Sequence, residues 1–353
     1  SFFTGKRMKL EDFSYFLPDD LIAQHPRPQR DASRMMLLDR RESTMEDLQF
    51  SSLPDFLQKG DVLVINDSRV IPARIYGKKT TGSIIEILLI TCKEKKDGAE
   101  WWEVMARPGK RINENDLIDL GHSCEARVVA RVSDKKWLMA FNAEDGFENY
   151  LERFGRAPLP PYIKRRKNTA PDQSNDRERY QTIYAKTAGS IAAPTAGLHF
   201  SPQVLETLKS RGVGIAAITL HVGIGTFWPI ETDIVENHVM QTEYFEITPD
   251  TADTINNARR VIAAGTTTTR TLESVADNNG HIMPQSGETS LFIYPGYTFK
   301  RVNGLLTNFH LPRSSLFLLV CAFAGTDFVK KAYARAVKNR YLFYSYGDCM
   351  LIL

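Results

Sequence analysis

The feature that most constrains the fold is a run of short strand-like segments, with no helix between them, in the first half of the chain. Turns rich in Gly, Asn, Asp and Lys separate these segments, which occupy residues 74–79, 83–91, 101–106, 116–119, 125–132 and 136–141. Regular short strands of this kind predict a small β-barrel or sandwich. On both sides the sequence alternates strands with helices, which is typical of a layered α/β domain. We therefore predict a discontinuous α/β domain of residues 8–71 and 151–353, with a small β domain, residues 72–150, inserted into it.

Residues 180–227 combine glycines, threonines and two histidines with apolar surroundings, which favours a walled pocket over a surface loop. Ser201 and Pro202 predict a helix start, Gly212 its end, and residues 215–222 a strand buried on both faces. His199 then precedes a helix and His221 ends a strand, positions where open α/β sheets hold ligands. The alternative is that each is an ordinary core histidine. We expect both to converge in one crevice.

Two further segments place polar groups at predicted strand ends. Residues 66–69, Asn-Asp-Ser-Arg, follow a buried strand, and they fit either a binding site for a polar substrate or an ordinary turn. Residues 265–270, Gly-Thr-Thr-Thr-Thr-Arg, lead from a strand into a helix, a geometry that can hold an anion or simply cap the helix. Gly223 and Gly225 lack the third glycine and following helix of a dinucleotide fingerprint, so we reject that motif. Residues 291–294, Leu-Phe-Ile-Tyr, predict a further strand.

Several classes of protein are excluded. The longest apolar run, residues 316–324, has nine residues, whereas a membrane-spanning helix needs about 20. No secretory signal is visible, and residues 1–7, ahead of Met8, are interpreted as a leader or an expression remnant. The four cysteines are scattered with no Cys-x-x-Cys pair, which favours reduced thiols in the cytoplasm and argues against a zinc site.

Positive charge is concentrated at the junction that follows the inserted domain. Between residues 151 and 186 there are nine Lys and Arg against four Asp and Glu, although the whole chain carries only +3. Residues 164–167, Lys-Arg-Arg-Lys, are either a solvated loop or a phosphate-binding patch. Arg27 and Arg30 lie in a loop that two prolines keep from being a regular helix, so they form a surface loop or a basic lip over a site.

At this point a resemblance extends the interpretation. Six segments in order closely resemble the S-adenosylmethionine:tRNA ribosyltransferase-isomerase family of queuosine biosynthesis, namely residues 66–74, 180–186, 192–200, 219–227, 306–312 and 343–348. The similarity runs from about Met8 to the C-terminus. It implies a layered αβα domain with an inserted small antiparallel β-barrel domain.

The resemblance also implies the chemistry. Members transfer and isomerise the ribosyl part of S-adenosylmethionine onto 7-aminomethyl-7-deazaguanine in the tRNA anticodon, giving epoxyqueuosine-tRNA, adenine and methionine. S-adenosylmethionine is then a co-substrate, no true cofactor or metal is expected, and the partner is the tRNA that carries the precursor base. We expect a monomer. Two alternatives remain open: a methyltransferase that uses the same donor, and a tRNA-binding module without catalysis.

The residues can be weighed against that reaction, which needs a base beside the sulfonium and an acid or donor for adenine loss. Neutral histidine can serve as either near pH 7. We predict His199 and His221 as acid/base groups, with Asp67 and Arg69 orienting ribose or methionine. The predicted substrate-binding residues are Thr195, Gly197, Gly223, Gly225, Thr226, His238, Arg270 and His310, and the predicted tRNA-binding residues are Arg27, Arg30, Lys164, Arg165, Arg166 and Lys167. The family commonly has a second histidine three residues after His238, where this chain has Gln241.

Overall fold

The computed structural model describes residues 7–165, 173–223, 225 and 229–353. Its strands are β1 (Arg34–Asp39), β2 (Thr44–Gln49), β3 (Asp61–Asn66), β4 (Ser68–Val70), β5 (Arg74–Lys79), β6 (Ile84–Lys96), β7 (Ala99–Arg107), β8 (Leu117–Gly121), β9 (Cys124–Arg131), β10 (Lys136–Ala143), β11 (Thr187–Ser190), β12 (Gly214–Leu220), β13 (Glu243–Ile247), β14 (Arg260–Ala264), β15 (Gln285–Thr289), β16 (Gly304–Asn308) and β17 (Cys349–Ile352). Its α-helices are α1 (Phe147–Phe154), α2 (Gln173–Arg179), α3 (Pro202–Ser210), α4 (Pro249–Asn256), α5 (Thr266–Val275), α6 (Ser315–Ala324) and α7 (Thr326–Lys338). Short 3-10 helices lie at Leu10–Phe13, Asp19–Leu21, Arg30–Ala32, Phe50–Phe56, Gly109–Arg111, Thr195–His199 and Val235–Asn237.

The main sheet joins strands from both ends of the chain in the order β15-β13-β12-β3-β14-β16-β17-β1-β2. Four neighbouring strands at its centre, β12, β3, β14 and β16, are parallel to one another. The C-terminal strand β17 runs antiparallel to β16 and parallel to β1, so the end of the chain lies between them. The carboxyl ends of the four central strands therefore meet at one edge of the sheet, where open α/β folds bind their ligands.

Helices cover both faces of this sheet. All six residues of β3 are buried, because successive side chains point to opposite faces. Val62 and Val64 pack into a core with α4, α5, α6 and α7, whereas Leu63 and Ile65 pack into a second core with α3 and the 3-10 helix Phe50–Phe56. The predicted αβα layering is confirmed.

The inserted domain is a closed antiparallel barrel with the strand order β10-β7-β6-β5-β8-β9. Its interior is filled by apolar side chains such as Ile87, Val104 and Phe141. The predicted class, a layered α/β domain with an inserted antiparallel barrel, is confirmed. Helix α1 packs against the barrel through Phe147 and Leu151, on either side of residue 150. The domain boundaries themselves stay a prediction.

The chain enters and leaves the barrel at one narrow point. Arg74 and Arg156 form an antiparallel bridge there, with backbone hydrogen bonds of 3.2 and 2.8 Å. A Cβ atom at Gly155 would lie 2.2 Å from the carbonyl oxygen of Pro72, so no larger residue fits. The absence of a side chain at Gly155 lets the entering and leaving segments touch.

One further element agrees with the sequence-based prediction and one does not. Helix α3 begins as predicted, because Ser201 Oγ accepts the N–H of Val204 at 3.3 Å, and a left-handed Gly212 follows it. The predicted strand at 291–294 is wrong. These apolar residues pack against the core in irregular conformation, and the neighbouring polar segment β15 forms the edge strand instead.

Within the described part of the chain, no helix combines the length and the apolar character needed to cross a membrane.

Candidate functional site

His221 directly follows β12 and is held by two serines from other strands. Its Nδ1 lies 2.8 Å from Ser68 Oγ in β4, and Ser68 Oγ lies 2.6 Å from Ser190 Oγ in β11. Ser190 Oγ also accepts the N–H of Val222 at 2.9 Å. A continuous hydrogen-bond chain therefore runs from the backbone to the imidazole. It fixes the ring's orientation at the ligand-binding edge of the sheet.

The protons of this hydrogen-bond chain can point in either direction, and each direction gives the imidazole a different tautomer. When Ser190 donates to Ser68 and Ser68 donates to Nδ1, the proton of the neutral ring is on Nε2, which can act as a donor. When Nδ1 donates instead, Ser190 turns its proton to the carbonyl of Leu220, 3.5 Å away, and Nε2 becomes a base. The second arrangement uses the longer contact to Leu220, and it is the one that leaves Nε2 able to accept a proton.

The surroundings of His221 favour its neutral form. Burial lowers the pKa of His221, and the nearby carboxylates of Asp67 and Glu246 only partly oppose that effect. Asp67 follows β3, and its Oδ1 accepts the hydroxyl of Thr219 at 2.7 Å. Asp67 is therefore brought beside His221, as predicted for two groups of one site. A ring that is neutral near pH 7 can take up a proton.

Gly189 and Asn66 position the ring of His221. The ring of His221 lies against Gly189, where a Cβ atom would come within 2.5 Å of its Cε1 and Nε2. On its other side the ring stacks on Tyr244, with centroids 5.7 Å apart. Asn66, at the end of β3, links β12 and β4. Its side chain donates to Leu220 O at 2.9 Å and accepts from Leu220 N and Ser68 N at 3.0 Å. The glycine and the amide thus position the imidazole.

Arg69 does not join this group. Along β4, Ser68 and Val70 are buried and Arg69 between them is exposed, because alternate residues point to opposite sides. Its Nη2 lies 3.5 Å from Glu152, which also pairs with Arg177 at 2.8 Å. For this geometric reason the structure does not bring Arg69 together with Asp67, although we predicted that both orient ribose or methionine. Arg69 instead lines a separate open cavity of about 370 Å³.

His199 lies in a different place from His221, so the expected convergence of the two histidines is wrong. His199 hydrogen-bonds Asn308 at the end of β16. In the sheet β16 is three strands away from β12, a separation of roughly 14 Å at about 4.8 Å per strand. Only 3% of His199 is exposed. Nε2 lies 3.1 Å from Asn308 Oδ1 and Nδ1 lies 2.9 Å from Ser33 Oγ. Both ring nitrogens are used inside the protein, so we assign His199 to the framework of the site.

The burial of His199 predicts a pH-dependent stability. Burial lowers the pKa of His199 to about 4, below the unfolded value of about 6.5. Between these values the unfolded chain binds a proton that the folded chain does not, so stability is lost as pH falls from 6.5 toward 4. We expect a loss of about 2 kcal/mol from this group at pH 5. Urea unfolding at pH 7 and pH 5 measures it.

Matched variants separate this effect from general acid sensitivity. His199→Gln should be less stable than the parent at pH 7 and should lose less stability between pH 7 and pH 5. His281→Gln, at an exposed histidine, should leave the pH dependence unchanged. If His199→Gln kept the full pH dependence of the parent, His199 would not be its source.

Thr195 and His310 are brought together in a small cavity of about 50 Å³ beside Asn308 and Ser345. His310 is buried, and its Nε2 lies 2.7 Å from Thr307 Oγ1. Burial lowers the pKa of His310 to about 3, so this ring is neutral and acts as a hydrogen-bonding group. Gly197, on the same 3-10 helix as Thr195, is packed against Tyr184 and Thr182.

A larger cavity, of about 580 Å³, lies between the barrel and the αβα domain. Three predicted substrate-binding residues line it, Gly225, His238 and Arg270, together with the β9–β10 turn of the barrel, residues 133–136. This volume is in the range of sites for small organic ligands. His238 packs edge-on against Phe292 rather than beside another histidine. Thr226 lies outside the described residues.

Arg270 and Glu243 form a buried ion pair at this cavity. Arg270 Nη2 donates to Glu243 Oε2, and Glu243 Oε1 accepts the N–H of Gly223 at 3.0 Å. Side-chain exposure is 3% for Arg270 and 4% for Glu243. The Nε and Nη1 atoms of Arg270 are buried without a hydrogen-bond acceptor. Each unsatisfied buried donor costs about 1–3 kcal/mol, a cost that an acceptor from outside the protein chain would offset.

The predicted tRNA-binding residues have different surroundings. Arg27 donates to the buried carboxylate of Asp348 at 2.9 Å, and Arg30 donates to the carbonyls of Leu198 and Glu178. Arg165 forms a two-pronged pair with Asp176 at 2.8 and 2.7 Å. Lys164 is exposed. Arg166 and Lys167 lie outside the described residues.

The sequence interpretation missed Ser190, Gly189 and Glu243. A signal existed for Glu243, because residues 243, 245 and 247 share one buried face of β13. An acid on the apolar face of a strand indicates a buried carboxylate that needs a partner. No local signal predicts Ser190, because its contact with Ser68 depends on the pairing of β4 with β11.

Comparison with known proteins agrees with this architecture. The family described as "Queuosine biosynthesis protein" matches residues 10–352. The chain is 55% identical to the S-adenosylmethionine:tRNA ribosyltransferase-isomerase of Syntrophus aciditrophicus, covering 98% of this chain and 100% of that protein. It is 50% identical to the protein of the same name from Desulfitobacterium hafniense, with the same two coverages.

A solved structure is similar as well. The crystal structure of S-adenosylmethionine tRNA ribosyltransferase from Thermotoga maritima is 35% identical, with a TM-score of 0.53, and the match covers 97% of this chain and 100% of that one. Likeness over the whole length, in both sequence and fold, shows the relationship. This chain belongs to the queuosine biosynthesis protein family.

Proposed function

We propose that this protein is an S-adenosylmethionine:tRNA ribosyltransferase-isomerase. The observation that carries the proposal is the 55% identity over 98% of the chain to an enzyme of that name. The reaction joins the ribosyl part of S-adenosylmethionine to the aminomethyl group of 7-aminomethyl-7-deazaguanine in tRNA, with rearrangement to epoxyqueuosine and release of adenine and methionine. S-adenosylmethionine is a co-substrate in this proposal, and no resident metal or cofactor is invoked.

In this reaction His221 is the proposed base. It is the half-exposed histidine whose Nδ1 is held by Ser68, and a reversal of the serine chain leaves Nε2 free to accept a proton. The proton removed is the one on the carbon beside the sulfonium. Asp67 stabilises the imidazolium that forms, since its carboxylate raises the pKa of His221. The cavity at Arg270, His238 and Gly225 is the proposed site for the nucleoside donor.

A product assay tests the function. The purified protein is incubated with S-adenosylmethionine and tRNA that carries 7-aminomethyl-7-deazaguanine, and the nucleosides and small products are analysed by mass. We expect epoxyqueuosine, adenine and methionine. Release of S-adenosylhomocysteine would indicate a methyltransferase, and tRNA binding without consumption of the donor would indicate a module that lacks catalysis.

We also propose that the protein is a monomer in the cytoplasm. Light scattering measures its oligomeric state.

The junction after the barrel is the proposed landing surface for tRNA. Phosphate contacts make affinity fall with salt, by a slope of about 0.7–0.9 per contact on a log–log scale. We expect the triple variant Lys164→Glu, Arg166→Glu and Lys167→Glu to weaken tRNA binding about 100-fold at low salt and to reduce the slope by about 2. Arg165 is kept, because it pairs with Asp176. Filter binding over a salt series measures both quantities.

A second triple variant controls for net charge. Lys209→Glu, Lys331→Glu and Lys338→Glu make the same charge change at exposed positions on α3 and α7. We expect this variant to keep most of the affinity and the slope. Equal losses of tRNA affinity in both triple variants would show that tRNA is attracted by the overall charge of the protein and not by a surface at the junction.

A further inference from the structure

Arg270 has more hydrogen-bond donors than the protein supplies acceptors. Arg40 shows how this chain satisfies a structural arginine, since its Nε, Nη1 and Nη2 donate to the carbonyls of Leu353, Phe323 and Asn303. Among the described residues, Arg270 is the side chain with two buried nitrogens that lack an acceptor. It also lines the cavity of about 580 Å³. An acceptor that is not part of the protein chain would complete its hydrogen bonds.

The remaining nitrogen of Arg270 is fixed by Glu243. Glu243 is itself held, because its Oε1 accepts the N–H of Gly223 at 3.0 Å. The guanidinium is therefore anchored at one corner and keeps the donors of Nε and Nη1 for another partner. These two nitrogens lie on different edges of the planar guanidinium and donate in different directions, and each can form a charge-assisted hydrogen bond to a carboxylate oxygen.

We infer that Arg270 binds the carboxylate of the methionine part of S-adenosylmethionine, and this inference rests on the function proposed above. The charged side chains at the cavity are balanced, with three acids and three bases: Asp134, Glu231, Glu243, Lys135, Lys136 and Arg270. A site for a tRNA phosphate would carry an excess of bases. A balanced set suits a small ligand that has a carboxylate, an ammonium group and a sulfonium.

Ligand analogues test the inference without relying on turnover. Isothermal titration compares S-adenosylmethionine with its decarboxylated analogue, which lacks only the carboxylate. We expect the parent protein to bind S-adenosylmethionine about 10- to 100-fold more tightly than the analogue. Arg270→Gln should abolish this preference, with the affinity for the analogue within about 2-fold of the parent. Arg270→Lys should keep part of the preference, because a charged donor remains.

Three results would overturn the inference. The parent protein could bind both ligands equally, Arg270→Gln could keep the preference, or Arg270→Gln could weaken both ligands by the same factor, which would indicate a structural role. If Arg270→Gln fails to fold by circular dichroism, the parent comparison still decides, and the double variant Arg270→Gln with Glu243→Gln removes the buried charge left behind.

Failure of the carboxylate site and failure of the proposed function give different results. Where the inference alone fails, the parent protein still forms epoxyqueuosine from S-adenosylmethionine but shows no preference for the carboxylate. Where the function fails, precursor-bearing tRNA and donor yield no epoxyqueuosine, adenine or methionine.

Discussion

Replacing His221 with alanine should lower the single-turnover rate of epoxyqueuosine formation by about 10²- to 10⁴-fold, the usual contribution of a positioned acid/base group. His221 lies at the ligand-binding edge of the sheet with its Nδ1 held by Ser68 Oγ, so its loss removes the proposed proton acceptor. Rates are measured by quenching and mass analysis of the nucleosides at saturating donor. A rate within 2-fold of the parent would remove His221 from the mechanism.

A second variant displaces the ring without removing it. Gly189→Ala places a Cβ atom about 2.5 Å from Cε1 and Nε2 of His221, so the imidazole must move. We expect a loss of rate close to that of His221→Ala. Gly296→Ala is the matched control, because Gly296 also has a positive φ, +102°, and a Cβ atom there would meet nothing within 4 Å. Similar losses in both glycine variants would show that general destabilisation, and not displacement of His221, lowers the rate.

Replacing Asp348 with alanine should reduce the free energy of unfolding by about 3–5 kcal/mol, because it leaves buried donors without their acceptor. The side chain of Asp348 is completely buried. Its carboxylate accepts Arg27 Nη2 at 2.9 Å, the N–H of Arg34 at 2.9 Å and the N–H of Leu342 at 2.8 Å. These bonds tie the start of β1 to the segment before β17 at the same edge of the sheet. Urea unfolding at pH 7 measures the change.

An exposed ion pair provides the comparison for Asp348. Asp20 pairs with Arg340 at 2.6 Å, and their side chains are 60% and 69% exposed. Asp20→Ala should leave the unfolding midpoint nearly unchanged, because solvent screens exposed pairs. A loss in Asp348→Ala as small as that in Asp20→Ala would show that the buried carboxylate contributes little.

The sequence by itself determined the elements whose signals are local. The six strands of the barrel follow from short segments between turn residues, and α3 follows from Ser201, Pro202 and Gly212. The motifs at 66–74 and 219–227 also indicated the family, because they are contiguous in the chain. Turn chemistry, capping and contiguous motifs act within a few residues, so they can be read without the fold.

Other elements depend on pairing and not on composition. Segment 285–289, Gln-Ser-Gly-Glu-Thr, has little strand propensity, yet it forms β15 because β13 offers it a row of backbone hydrogen bonds. The apolar segment 291–294 fills the core without a strand partner. A propensity is a weak preference, and tertiary hydrogen bonds and burial override it.

Only the tertiary structure decided which polar groups meet. His199 and His221 lie in motifs of similar appearance, yet strand order places one beside Asn308 and the other beside Ser68. Alternation along β4 turned Arg69 away from Asp67, and the pairing of β4 with β11 brought Ser190 to Ser68. These contacts join residues more than a hundred positions apart, so their distances are set by sheet topology, which no local sequence pattern encodes.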